Sequence, residues 1–307
     1  MNTAFLFPGQ GSQIPGMLHT LPDHPAVKRT LEEASEFLGQ DALEMDTTEA
    51  LQSTVSIQVA LIITGVAVAR ALIAEGVQPA AVAGMSAGAF AAAVISGTLG
   101  FADGMRLIRL RAGLMAGLYP GGYGLSILLG LTEREVMDIV KQAGSADEPL
   151  FVTNINAPRQ IGISGSDRAM ERALAAARAA GARGTIRLHM PVPSHSPLLE
   201  PVAGSLRAAL AGTVLNEPKT VYISNITGRA LRSAATIAGD VAGNVAHRIR
   251  WHDGTAVMEE LGCRTFVEMP PGHALSDLAR DSFKDVRTIT MGTTPFNYAV
   301  SIIKSAS

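Results

Sequence analysis

The chain has 307 residues, 47% of them hydrophobic and 17% charged, which is enough apolar side chain to bury a sizeable core. Twenty-five basic against 27 acidic residues leave a formal net charge of -2, and this excludes, as a first expectation, a nucleic-acid binder that works through clustered Lys and Arg. A single cysteine, Cys263, excludes an internal disulfide and a Cys-based zinc site, and points to a reducing, cytoplasmic setting.

Phe5-Leu6-Phe7 predicts a first strand that breaks at Pro8-Gly9-Gln10-Gly11-Ser12, a glycine-rich turn baring backbone N–H groups at a strand end. The apolar run there is too short, and lacks the basic flank, for a signal peptide, so export is not expected. Helices are predicted over 25–38 and 55–74. Gln58, Thr64, Gly65 and Arg70 interrupt the second, which reads as a buried helix and not as a membrane span. A strand over 80–83, a tight turn at Gly84-Met85-Ser86-Ala87-Gly88 and a helix over 89–95 follow, then a helix over roughly 102–118 that carries Arg106, Arg109 and Arg111.

Between about 124 and 190 the rhythm changes. Strands over 125–129, 150–155, 161–164 and 185–189, with helices over 133–143 and 167–180, give a βαββαβ order that matches a ferredoxin-like unit. Pro120-Gly121-Gly122 and Pro191-Val192-Pro193 read as paired hinges at its entrance and exit. The expected organisation is therefore a discontinuous large α/β domain, residues 1–122 and 192–307, with a small domain inserted over 123–191. Strands over 221–224 and 265–269 belong to the large one.

Gly84-Met85-Ser86-Ala87-Gly88 fits the nucleophile elbow, in which a serine sits on a sharp strand-to-helix turn between small residues. An exposed serine needs a base, and histidine has the suitable pKa. His19, His24, His189, His247 and His252 read as surface or structural residues. His195, in the Pro-bracketed loop Pro193-Ser194-His195-Ser196-Pro197, is the favoured base, with His273 after Pro270-Pro271-Gly272 as its competitor. No metal-ligand spacing of the HExxH type is present.

Five segments occur together in an order that resembles the malonyl-CoA:acyl-carrier-protein transacylase family. They are Phe7-Pro8-Gly9-Gln10-Gly11-Ser12-Gln13, the elbow at Ser86, Leu110-Arg111-Ala112-Gly113-Leu114-Met115, Val192-Pro193-Ser194-His195 and Glu268-Met269-Pro270-Pro271-Gly272. The resemblance implies an α/β-hydrolase-like large domain with a ferredoxin-like insertion. It implies Ser86 as nucleophile, His195 as general base, and the backbone amides of Gln10 and Ala87 as an oxyanion hole. Arg111 would bind the malonyl carboxylate, Gln58, Asn154 and Asn156 would line the site, and the main-chain carbonyl of Arg250 would orient His195. No bound cofactor or metal is implied; the substrates are malonyl-CoA and a carrier protein with a phosphopantetheine-type or dephospho-CoA-derived arm.

Members serving fatty acid synthesis read GHSxGE at the elbow, whereas this chain has Met85, Ala89 and Phe90 at the variable places. It is similar there, and at Gly16-Met17-Leu18-His19, Gly122-Tyr123-Gly124 and Arg250-Trp251-His252-Asp253, to the epsilon subunit of malonate decarboxylase. That resemblance implies the decarboxylase's own carrier subunit as acceptor. The alternatives are a transacylase of fatty acid or polyketide synthesis, a serine esterase or thioesterase using His273, and a non-enzymatic scaffold.

Overall fold

The computed structural model describes residues 2–119, 121–188 and 190–306, with residue 306 described by its backbone alone. Strand β1 (Asn2–Phe7) is followed by α1 (Pro25–Leu38), α2 (Thr54–Ala74), β2 (Pro79–Gly84), α3 (Gly88–Ile95) and α4 (Phe101–Leu118). Then come β3 (Tyr123–Leu129), α5 (Glu133–Ala143), β4 (Leu150–Ala157), β5 (Gln160–Ser166), α6 (Asp167–Ala179) and β6 (Gly184–Leu188). The chain closes with α7 (Glu200–Ala211), β7 (Val221–Ile223), β8 (Ala230–Leu231), α8 (Ala234–Gly243), α9 (Trp251–Glu260), β9 (Cys263–Glu268), α10 (Ala274–Ser282), β10 (Arg287–Thr290) and α11 (Phe296–Ala306). Pro120 of the expected hinge and His189 of the expected last small-sheet strand lie outside the described residues.

These elements make a mixed α/β structure with two sheets. The larger runs β10-β9-β1-β2-β7-β8 and is parallel except for the last pair. Helices cover a parallel sheet on both faces, and its central strands accordingly read as continuous apolar runs; every residue of β1 after Asn2 is buried. The 21-residue α2 is apolar all round and packs inside, as such a helix must in water. Phe7 pairs with Gly84, and Leu6 with Glu268, so β1, β2 and β9 all release their following loops at one edge of the sheet. That edge is where parallel α/β sheets place ligands.

The smaller sheet is antiparallel, in the order β4-β5-β3-β6, and α5 and α6 cover one of its faces. Along β3 the strand period of two sends Leu128 to the helices while Leu125 and Ile127 turn to the other face. In β4 the same period would place residues 150, 152, 154 and 156 on one face. Leu150 and Val152 do pack under the helices, but the pairing with β5 slips between Val152 and Asn154, so Ile155 takes the helix side and Asn154 and Asn156 take the other. The bulge thus inverts the phase of the strand's second half.

The small sheet is tied through backbone to the segment that precedes α9. Ile155 N–H donates to the Ile249 carbonyl at 2.8 Å, and Ile249 N–H donates to that of Thr153 at 2.8 Å. The Ser164 hydroxyl donates to the Ser194 carbonyl at 2.8 Å, which ties the small sheet to the loop carrying His195.

Candidate active site

The elbow forms because its flanks have no Cβ. A Cβ on Gly84 would lie 2.0 Å from the backbone of Gly88, and one on Gly88 would lie 2.2 Å from the Phe7 carbonyl oxygen. The resulting turn drives Ser86 into the left-handed region, φ 57°, a conformation that a serine holds only when its surroundings impose it. The surroundings here include Asn225, whose Oδ1 accepts the Ser86 N–H at 2.9 Å.

Arg111 reaches the same point from α4. It is 1% exposed; Nη2 donates to Ser86 Oγ at 3.0 Å and Nη1 donates to Gln58 Oε1 at 2.6 Å, while Nε has no partner. No carboxylate among the described residues pairs with it, and burial pulls its pKa down to about 10. The guanidinium is still charged at neutral pH, a desolvated cation aimed at the serine. Arg106 sits on the exposed side of the helix with Asp103 and Thr213. Gln58 is fully buried on α2, and its Nε2 donates to Gln10 Oε1 at 3.1 Å, so Gln10, Gln58, Arg111 and Ser86 form one chain of side chains. Among the described residues the backbone amides of Gln10 and Ala87 have no hydrogen-bond acceptor, which leaves both free to face a ligand oxygen.

His195 is 4% exposed with φ 62°. Its Nδ1 lies 2.7 Å from the Asn244 carbonyl oxygen, and since a carbonyl only accepts, Nδ1 carries the proton and Nε2 is the ring's acceptor. Desolvation, and then the nearby Arg111 charge, lower its pKa to about 3, so the imidazole is neutral at pH 7. Ser86 and His195 line one cavity of about 260 Å³. They share no hydrogen bond; the Ser86 Oγ accepts from Arg111 Nη2 instead.

The expected orienting carbonyl needs correction. The Arg250 carbonyl accepts the Gly254 N–H at 3.0 Å in the first turn of α9 and does not meet His195, while the Arg250 side chain pairs with Asp253. The carbonyl on His195 belongs to Asn244, in the single 3-10 turn that ends α8. Asn154 and Asn156 do line the cavity, both with Oδ1 unpartnered. His273 does not: it is largely exposed and bonded to Asp277 at 2.6 Å. The rest of the cavity wall is mostly apolar, with Met85, Met115, Leu125, Ile127, Leu188 and Leu278, besides Ser12, Gln160 and Ser194. No cluster of metal-ligating side chains occurs among the described residues.

Sequence reasoning missed Asn225 and Asn244. The signal for Asn225 was a polar run, Ser224-Asn225-Ile226-Thr227-Gly228, at the C-terminal end of a strand in a parallel sheet. Asn244 acts through its main chain and carries no such mark.

Residues 4–294 match the family described as "Acyl transferase domain". The malonyl CoA-acyl carrier protein transacylase of Haemophilus influenzae is 32% identical over 295 residues, covering 94% of each chain. An acyl-carrier-protein S-malonyltransferase from Burkholderia pseudomallei superimposes with a TM-score of 0.92 at 32% identity, over 98% of this chain and 100% of that one. A malonyl-transacylase solved in complex with a type II polyketide synthase acyl-carrier protein gives a TM-score of 0.92 at 30% identity, over 99% of this chain and 100% of the other.

Proposed function

The chain belongs to the acyl transferase domain family, and we propose that it is an S-malonyltransferase, moving malonyl from malonyl-CoA to the thiol of an acyl carrier protein through an ester on Ser86. One observation carries the reading: a buried guanidinium with no carboxylate partner among the described residues, 3.0 Å from the elbow hydroxyl, in a mostly apolar cavity. Such a cation is stable only where a ligand supplies the anion, and malonyl differs from other short acyl groups by its free carboxylate.

In the proposed cycle Ser86 Oγ attacks the thioester carbonyl as His195 Nε2 takes its proton. The negative oxygen falls between the amides of Gln10 and Ala87, each such donor being worth about 3 kcal/mol of barrier. The C–S bond breaks, CoA thiolate leaves with the proton from His195, and malonyl-Ser86 remains. The carrier's thiol then gives its proton to His195 and attacks the ester, returning the serine. With a neutral imidazole held by the Asn244 carbonyl, a Ser/His dyad suffices and no acidic third member is required.

We further read residues 1–122 and 192–307 as an α/β-hydrolase-like domain and 123–191 as a ferredoxin-like insertion. Numbered from its own first strand, the small sheet runs 2-3-1-4, which supports that reading. The acceptor best supported by relatives named as malonyl-transacylases is an acyl carrier protein of fatty acid or polyketide synthesis. A second reading, transfer to the malonate decarboxylase carrier, is favoured by the elbow, where Met85 lines the cavity and Ala89 and Phe90 are fully buried. A cytoplasmic location accords with both.

Intact-mass measurement after mixing with malonyl-CoA tests the reading. A malonyl adduct that maps to Ser86, is absent in Ser86→Ala and is discharged by a holo-carrier is the expected result. Turnover to free malonate would make the protein a hydrolase, and an unchanged mass would leave only a scaffold. Side-by-side transfer to the two holo-carriers decides the acceptor.

A further inference from the structure

We propose that Asn225 and Asp240 are positioning residues for Ser86, and that α8 with the turn after it holds nucleophile and base in register. The proposal rests on the reading of Ser86 as the acylated residue.

Ser86 occupies a strained backbone conformation, and its N–H points away from the cavity toward β7. There it meets the Asn225 side chain, with Oδ1 accepting at 2.9 Å. Asn225 is itself fixed on three sides. Its Nδ2 donates to Asp240 Oδ2 at 3.4 Å, its own N–H donates to the same oxygen at 3.1 Å, and its carbonyl accepts the Arg250 N–H at 2.7 Å. An asparagine so held has one orientation available, with the oxygen toward Ser86.

Asp240 is 3% exposed and, among the described residues, is paired with no basic side chain; its oxygens are met by neutral donors. Tyr222 Oη donates to Oδ2 at 2.8 Å, Ser224 Oγ to Oδ1 at 2.5 Å, and Ile226 N–H to Oδ1 at 3.0 Å. A buried carboxylate is costly unless such a set surrounds it, and once surrounded it rigidifies everything that donates to it. What it rigidifies is the segment 222–226, from which Asn225 reaches the nucleophile.

The same helix serves the base. Asp240 lies in the last turn of α8. Four residues on, the Asn244 carbonyl holds His195 Nδ1 at 2.7 Å, and the Val245 carbonyl accepts the His195 N–H at 2.8 Å. One rigid span, 240–245, therefore bears on Ser86 through Asp240 and Asn225, and on His195 directly. Each of the two residues has a positive φ and would relax if released.

The test is the first-order rate of Ser86 acylation at saturating malonyl-CoA, read by quenched intact mass. Asn225→Ala is expected to lower it by on the order of 100-fold, the scale on which an ångström of misplacement costs rate. The half-saturating concentration should stay within about twofold, since Asn225 touches no substrate. Leu72→Ala, a fully buried truncation at the far end of α2, supplies the stability control: a lower melting temperature with the wild-type acylation rate. Should Asn225→Ala not fold, Asn225→Ser, polar but too short to span the gap, carries the same comparison. A wild-type rate in the Asn225 variant, an equal slowing in Leu72→Ala, or a loss that appears only in half-saturation would overturn the proposal. A wild-type protein that never acylates at Ser86 would overturn the functional reading itself, and this inference with it.

Discussion

Replacing Arg111 by alanine separates recognition of malonyl from the chemistry of acyl transfer. The guanidinium is buried, its two terminal nitrogens sit on Gln58 and Ser86, and among the described residues no other Arg or Lys lines the cavity around it. A malonyl carboxylate placed there without Arg111 is a buried charge stripped of its partner, which costs roughly 3–5 kcal/mol. At about 1.4 kcal/mol per decade, that is roughly 10²- to several 10³-fold in malonyl transfer. Acetyl has no carboxylate to strand, so transfer from acetyl-CoA should be spared or raised. The assay is loading of a holo-carrier from malonyl-CoA and from acetyl-CoA, in wild type and variant, with the ratio of the two as the readout. Equal loss of both would assign Arg111 to holding Ser86 and Gln58 in place and would refute the recognition role. Undiminished malonyl preference would mean that another cation reads the carboxylate. Arg111→Lys should fall between, because one ammonium cannot offer two parallel N–H donors.

His195→Ala should lose several orders of magnitude in acylation rate, while His273→Ala, which alters only an exposed contact with Asp277, should remain near wild type; the reverse ranking would favour an esterase-like site. The His195 pKa is near 3 when folded against 6.5 for the free side chain, so the unfolded chain binds the extra proton between those values. The stability tied to the neutral ring is fully present above about pH 6.5 and is lost as pH falls toward 3. Denaturant titrations at pH 7 and pH 4 should show a steeper loss in wild type than in His195→Gln; parallel losses would contradict the burial of the ring. Gly88→Ala, which drives a Cβ into the Phe7 carbonyl, should cost roughly 3 kcal/mol or more in urea unfolding. Gly113→Ala, on α4 with nothing within 4 Å, should be neutral or stabilising by about 0.5–1 kcal/mol.

The elbow was legible in the sequence because its requirement is local. Glycines at 84 and 88 allow the strand-to-helix turn, and that turn alone exposes the serine. His195 and Arg111 were legible through family resemblance, since nothing in the spacing from 86 to 111 or 195 states that the three converge. Their meeting depends on α4 packing against α2 and α3, and on Ser164 and the Asn244 and Val245 carbonyls holding the His195 loop over the elbow. Asn154 and Asn156 illustrate a different limit. Strict alternation would have assigned them to the helix-covered face with Leu150 and Val152, and a bulge, which leaves no residue-type signature here, turns them to the cavity. The Arg250 expectation failed for a related reason: a backbone carbonyl has no side-chain identity, and which one is free depends on where a helix ends.

The electrostatics of the cavity tie its two main groups together. Arg111 depresses the His195 pKa by charge as well as by sharing its dry surroundings, so before substrate enters, the imidazole is a very weak base. A carboxylate paired with the guanidinium cancels that part of the depression, and the base strengthens when an acyl group of the right charge is in place. The same pairing gives Arg111 a better acceptor than the Ser86 hydroxyl it holds at 3.0 Å, freeing that hydroxyl to turn toward Nε2. An acyl group without the carboxylate does neither. On the proposed reading, discrimination would come from the reactivity of the serine as well as from affinity, which is the form of specificity that raises kcat for the favoured substrate and not only lowers its KM.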